Sequence, residues 1–145
     1  MRNYNAGNIV NAYESLIALR KYKDSEEKAK SIYDKYKIEK LKVANIGDSV
    51  LFGAYMQDNY TSNGKENIRW LVLAKNNDKI LVVSEKALDC RQYHTSRINV
   101  AWETCSLRSW LNGPFFNSAF NTEEQLRVKD TNVSADKIPK YGTVG

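Results

Sequence analysis

Two apolar runs, Ile68-Arg69-Trp70-Leu71-Val72-Leu73-Ala74 and Lys79-Ile80-Leu81-Val82-Val83-Ser84, are separated only by Lys75-Asn76-Asn77-Asp78. β-Branched and aromatic side chains fill a pleated surface, and Asn and Asp accept the left-handed backbone of a tight turn, so the pair predicts an antiparallel hairpin. Neither run alternates cleanly, which predicts burial on both faces. An isolated hairpin is marginal in water. The remaining residues must therefore supply further strands and a cover.

One further strand is legible just upstream. After the turn signal Gly47-Asp48, the segment 49–56 places Val50 and Phe52 on one face, as a half-buried strand requires. The polar stretch 57–67 reads as an exposed loop in which Asn63-Gly64 is a tight-turn pair, the glycine accepting positive φ. Before residue 44 the period changes to that of a helix. Ile9, Ala12, Tyr13, Leu16, Ile17 and Leu19 step by three and four, and so do Ala29, Ile32, Tyr33 and Tyr36, with Leu41 extending the second stripe. Asp24 followed by Glu27 has the spacing of a capping box at the start of the second helix. The expected organisation is a helical hairpin over 1–45 followed by an α+β domain over 46–145, made of a small antiparallel sheet with short helices.

Charge follows the same division. Residues 1–45 carry ten Lys/Arg against six Asp/Glu, and 46–145 carry twelve against eleven. The excess of cations lies among Asp24, Glu26, Glu27, Asp34 and Glu39, which predicts an ion-paired helix surface rather than a nucleic-acid footprint. No segment approaches the roughly 20 apolar residues of a membrane-spanning helix, and the first residues open no apolar signal-peptide core.

Downstream, Leu107, Trp110 and Leu111 share one helical face, and Asn112-Gly113-Pro114 predicts a stop. Phe115, Phe116 and Phe120 form an aromatic cluster, and Thr122 with Gln125 has capping-box spacing. The stretch 128–145 is polar and shows no period.

The chemistry-bearing residues are few. Cys90 and Cys105 have no companions at metal spacing, and one histidine with two thiols cannot complete the four ligands of a structural zinc. The two cysteines read either as a disulfide, in an oxidising compartment, or as free thiols. His94 is the only imidazole, so any Ser-His or Cys-His mechanism would pass through it. Asp89 and Glu103 could form a carboxylate pair, but their spacing does not set them face to face. No phosphate-cradling, serine-elbow or EF-hand pattern occurs, so neither cofactor nor metal is expected. Trp70 and Trp110 sit in apolar contexts and read as core, whereas Trp102 lies beside a polar loop and could stack on a sugar or peptide.

The blocks Gly47-Asp48-Ser49-Val50-Leu51-Phe52-Gly53, Trp70-Leu71-Val72-Leu73, Ala87-Leu88-Asp89-Cys90, Trp102-Glu103-Thr104-Cys105, Leu107-Arg108-Ser109-Trp110-Leu111-Asn112 and Phe116-Asn117-Ser118-Ala119-Phe120 resemble, in order, those of an uncharacterised bacterial domain family of unknown function. The resemblance covers roughly 46–138. Tyr22-Lys23-Asp24-Ser25 resembles a tetratricopeptide-like hairpin joined to such domains. The blocks are also similar, more loosely, to C-type-lectin-like and formylglycine-generating-enzyme-like folds. Such a fold would place the closing strands beyond Tyr141-Gly142-Thr143-Val144-Gly145, making this an incomplete copy.

The resemblance implies a binding scaffold with variable loops. The chain is expected to be a non-catalytic binding or interaction module of a bacterial protein, suited to a cell surface, with a protein or glycan as partner. Trp102 and Tyr93 are the expected stacking groups, and Arg91, His94 and Arg97 the polar anchors, on the loops 57–67 and 91–103. Two alternatives stay open: an enzyme using Cys90 or Cys105, and a helical-repeat segment working through 1–45.

Overall fold

The computed structural model describes residues 6–19, 22–58 and 60–131. Strands β1 (Ser49–Tyr55), β2 (Glu66–Asn76) and β3 (Lys79–Ser84) form one antiparallel sheet in the order β1-β2-β3. The predicted hairpin is β2–β3, closed at Asn76↔Lys79 with Asn77 in the left-handed region. β2 begins at Glu66, so the polar loop is shorter than expected and holds a single 3-10 turn at Thr61–Asn63.

Burial differs from expectation in one respect. Ile68 and Val72 of β2 and Val50 of β1 are buried, but on the other face Leu73, Leu81 and Val83 are 45%, 55% and 44% exposed. The sheet is thus covered on one side only among the described residues. Among the described residues, weak alternation here reflects an apolar outer face and not a second covering layer.

On the covered side two clusters share Trp70. Ala44, Val50 and Val72 pack with Leu41, Ile80 and Val82. Ile68, Ala119 and Phe120 pack with Phe52, Tyr55, Phe115 and Phe116. The Trp70 indole N–H donates to the Phe52 carbonyl at 2.6 Å, which satisfies its one polar atom and ties β2 to β1.

Helices α1 (Ala6–Ala18) and α2 (Ser25–Val43) form the expected hairpin. Tyr13 stacks on Tyr36 at 4.0 Å between ring centres and leans on Tyr33 at 5.5 Å, and Lys40 Nζ meets Glu14 Oε1 at 2.9 Å. Val10 and Ala29 are buried in the hairpin, whereas Ile17 and Leu19 of the expected stripe are exposed. Asp24 is the N-cap residue of α2, yet its side chain caps no amide; the carboxylate turns to Lys28 at 2.7 Å, so the expected capping box does not form. Salt bridges Lys37–Asp34 and Lys42–Glu39 continue the ion-paired surface. The end of α2 is fastened to the sheet, because Lys75 Nζ donates to the carbonyls of Lys42 (3.1 Å) and Ala44 (2.7 Å), oxygens left free at a helix C-terminus.

Past the sheet, α3 (Ser106–Trp110) does not stop at Asn112-Gly113-Pro114. It widens into a π-turn over Leu111–Phe115 and runs on as α4 (Phe116–Ala119). Proline breaks an α-helix by lacking an N–H and crowding the preceding turn, and the wider π-turn accommodates both. The continuation delivers Phe115, Phe116 and Phe120 to the sheet. The last helix, α5 (Thr122–Gln125), is capped one residue earlier than expected, by Asn121 with Glu124. Asparagine is a stronger N-cap than threonine, and the Glu124 carboxylate serves the sheet as well. The C-terminal stretch 132–145, where the incomplete end was expected, lies outside the described residues.

Candidate functional site

A cleft of about 410 Å³ opens between the end of β3 and the α3–π-turn segment, lined by Trp70, Ser84, Leu88, Asp89, Arg91, Leu107, Trp110, Leu111 and Phe115. The inner face of β3 contributes Ser84, the extended segment after it contributes Leu88, Asp89 and Arg91, and the helical face predicted from sequence contributes Leu107, Trp110 and Leu111. The walls are apolar and aromatic, with the Trp110 and Phe115 rings 5.2 Å apart.

One polar assembly occupies the mouth. The Arg91 guanidinium lies over the Trp110 ring at 4.7 Å, and its Nε donates to Asp89 Oδ2 at 3.2 Å. The same Asp89 oxygen accepts the Tyr55 hydroxyl at 2.8 Å, while Oδ1 accepts the Cys90 N–H at 2.7 Å. Burial alone would raise the Asp89 carboxyl, but the donors Tyr55, Cys90 and Arg91 together outweigh it and hold the group below its ordinary range. Tyr55 is pushed up, first by burial and then by its bond to Asp89.

The signs follow from linkage. The stability contributed by ionised Asp89 is complete above the ordinary carboxylate value and is lost as pH falls through the depressed folded value. Tyr55 behaves conversely, its contribution complete below the ordinary phenol value and lost as pH rises through the elevated one. Asp89→Asn should therefore let Tyr55 ionise at lower pH in a phenolate-absorbance titration. An unchanged titration would mean the Tyr55–Asp89 bond is not formed in solution.

The other expected anchors separate. Tyr93 and Trp102 come together, ring centres 6.3 Å apart and tilted by 31°, each about half exposed. His94 turns inward: its Nδ1 accepts the Ser106 N–H at 3.1 Å and lies 3.0 Å from Ser106 Oγ. That bond caps α3 and places the ring proton of the neutral imidazole on Nε2, so Nδ1 serves the fold and only Nε2 could act as the expected anchor. Arg97 is exposed and lies apart from the cleft lining. Sequence reasoning missed Tyr55 and Trp110 as site residues and read Asp89 only as a possible partner of Glu103.

Both cysteines are free thiols, so the disulfide that spacing left open is not formed. Cys105 is 1% exposed and is the N-cap residue of α3, its sulfur accepting the Arg108 N–H at 3.4 Å, whereas Cys90 is exposed. A disulfide-exchange reagent should label one thiol per folded chain at once and the second only on unfolding. Two rapid equivalents would show that Cys105 is not held as a cap. Among the described residues no three His, Cys, Asp or Glu side chains converge as a metal site would need.

Residues 77–145 match a family described as Domain of unknown function (DUF6273). The match is a little under half of the chain. It takes in β3, the whole Asp89–Arg91 segment and both cysteines, but starts at the hairpin turn and not at residue 46. No curated protein matches the chain, and no solved structure does. No described helix is long and apolar enough to cross a membrane.

Proposed function

We propose that the chain is a non-catalytic binding module that takes an apolar side chain of a partner polypeptide into the Trp110 cleft, with Arg91 holding a neighbouring carbonyl or carboxylate oxygen. The observation that carries this is the Arg91 guanidinium stacked on Trp110 and steered by Asp89 at the mouth of an apolar cleft. An arginine held by stacking and by one ion pair keeps its remaining N–H donors directed and pays little rotamer entropy on binding. Cleft volume and lining, mostly apolar walls with few oriented polar groups, are those of small-ligand sites.

The thiol-enzyme alternative finds little support. Cys105 is buried as a cap, and the histidine nitrogen that could serve a base is occupied by Ser106. A glycan has one specific observation in its favour, the exposed Tyr93–Trp102 pair, because sugars stack on such rings.

Tryptophan fluorescence titration with N-acetylated leucyl and phenylalanyl peptides, carrying free or amidated C-termini, tests the polypeptide reading. Saturable binding should weaken about tenfold in Arg91→Ala, the loss of one charge-assisted hydrogen bond, with stability lowered by no more than the roughly 1 kcal/mol of a half-exposed ion pair. If Trp102→Ala abolishes binding to sugars on a glycan array and no peptide binds, the glycan reading takes its place. In either case Trp102→Ala should cost no more than about 0.5 kcal/mol of stability, since the ring is half exposed.

A further inference from the structure

Strand β3 is an edge. Among the described residues it pairs with β2 alone, and no other backbone hydrogen bond reaches Lys79–Ser84. It is also apolar on the solvent side, with Leu81 and Val83 about half exposed beside Leu73. Natural sheets blunt such edges with charges, prolines, bulges or a cover. The one bulge in the β2–β3 pairing is on β2, between Val72 and Ala74, and the Lys79–Ser84 segment holds one charge, at its first position.

We propose that two copies of this chain pair antiparallel through β3, about a two-fold axis at Val82, into one continuous six-stranded sheet. The register follows from side-chain alternation. Lys79, Leu81, Val83 and Glu85 share the outer face, whereas Ile80, Val82 and Ser84 face the covered side. Paired residues of a continuous sheet must point to the same face, so only pairings whose residue numbers share parity are allowed. Centring the axis on Val82 sets Leu81 against Val83 of the second copy, twice, and Lys79 against Glu85, twice. Centring on Leu81 would oppose Lys79 to Val83, and centring on Val83 would oppose Leu81 to Glu85. Charge and apolar complementarity thus select one register.

Glu85 is already oriented for the role. Arg69 Nε lies 3.7 Å from its Oε2 and the Ser49 hydroxyl donates to Oε1, so its carboxylate is fixed on the outer face where Lys79 of a second copy would arrive. Each symmetric contact counts twice, which is why a six-residue strand can suffice for a weak dimer. The cleft lies on the opposite face of the sheet and stays open.

Sedimentation velocity of the full chain from micromolar to about 500 µM tests this, a range suited to weak interfaces. The expected result is a reversible monomer–dimer equilibrium. Leu81→Lys, at an exposed position, should weaken it about tenfold or more with an unchanged circular dichroism spectrum. Lys79→Glu should weaken it too, more at low salt than at high, because it sets like charges opposite one another. A chain that stays monomeric over the whole range overturns the proposal, and dimerisation on deleting 132–145 would then assign the edge to the chain's own terminal segment. A dimer indifferent to both substitutions overturns it as well, since association would use another surface.

Discussion

Adding one methyl group at Gly53 is expected to destabilise the fold by about 3 kcal/mol or more. β1 carries a bulge between Leu51 and Ala54, so that Phe52 and Gly53 together oppose Ile68, and Gly53 takes φ +71°. An alanine there meets two costs. The left-handed backbone disfavours any Cβ by about 1–2 kcal/mol. The Cβ would also stand 2.6 Å from two Phe120 ring carbons and 2.8 Å from the Ala119 carbonyl oxygen. Neither neighbour can yield cheaply. The ring is held by Phe52, Trp70, Phe115 and Phe116, and the oxygen is backbone at the end of α4. Overpacking of this kind costs about 1–3 kcal/mol more. Gly64 contrasts with it: it also has positive φ, +77°, and nothing lies within 4 Å of its absent Cβ, but its ψ of −156° is open to glycine almost alone, so Gly64→Ala carries a backbone cost without a clash. Urea midpoints measure the Gly53→Ala loss. A loss no larger than the backbone cost of about 1–2 kcal/mol would mean that the approach of Phe120 to the bulge is looser than described.

What could be read from the residues, and what could not, divides along the range of the interactions. The β2–β3 hairpin was legible because both its signals, the apolar runs and the Asn/Asp turn, are local. The helical hairpin was legible from periodicity, yet its stripe was read slightly out of phase, since Val10 is buried and Ile17 is not. Nothing local distinguishes a strand buried on both faces from one whose outer face is apolar and, among the described residues, uncovered, and so Leu81 and Val83 are exposed where burial was expected. The helix through Pro114 was missed for another reason: a π-turn depends on aromatic residues on both sides finding the sheet, which is a tertiary gain. Asn121 and Thr122 both fit a cap, and the choice between them was made by what Glu124 and not Gln125 could reach.

The candidate site shows the same limit. Trp110 and Arg91 are far apart in sequence and meet only because α3 packs beside the segment after β3. A weaker signal was present. Asp89 and Arg91 stand two apart in a segment free of helical pattern, which places both on one side of an extended chain. His94 illustrates the reverse case, because nothing in its own loop shows that Ser106, twelve residues on, engages its Nδ1.

Glu124→Ala is expected to cost about 3 kcal/mol, while Lys37→Met should cost about 1 kcal/mol or less. Glu124 is buried, and its carboxylate serves three elements at once: Oε1 accepts the Gly53 N–H of the bulge at 3.1 Å, Oε2 accepts the Asn121 N–H at 3.0 Å, and Lys37 Nζ of α2 lies 3.9 Å from Oε1. Alanine would leave two amides without acceptors, each worth about 1–3 kcal/mol when stranded away from water. The lysine contributes less because its distance is at the limit of an ion pair and the Gly53 and Asn121 amides still hold the carboxylate when the lysine is gone. Glu124→Gln should fall between the two variants, for an amide oxygen can keep one N–H bond while its NH₂ is set against the other. This ordering distinguishes two accounts of how the helical hairpin is attached. If Lys37→Met proved as costly as Glu124→Ala, the attachment would be ionic and should weaken with salt. The geometry instead makes the carboxylate an acceptor for backbone amides first, so the hairpin stays docked through Leu41, Ala44 and the Lys75 clasp, and salt should leave the Glu124→Ala loss nearly unchanged.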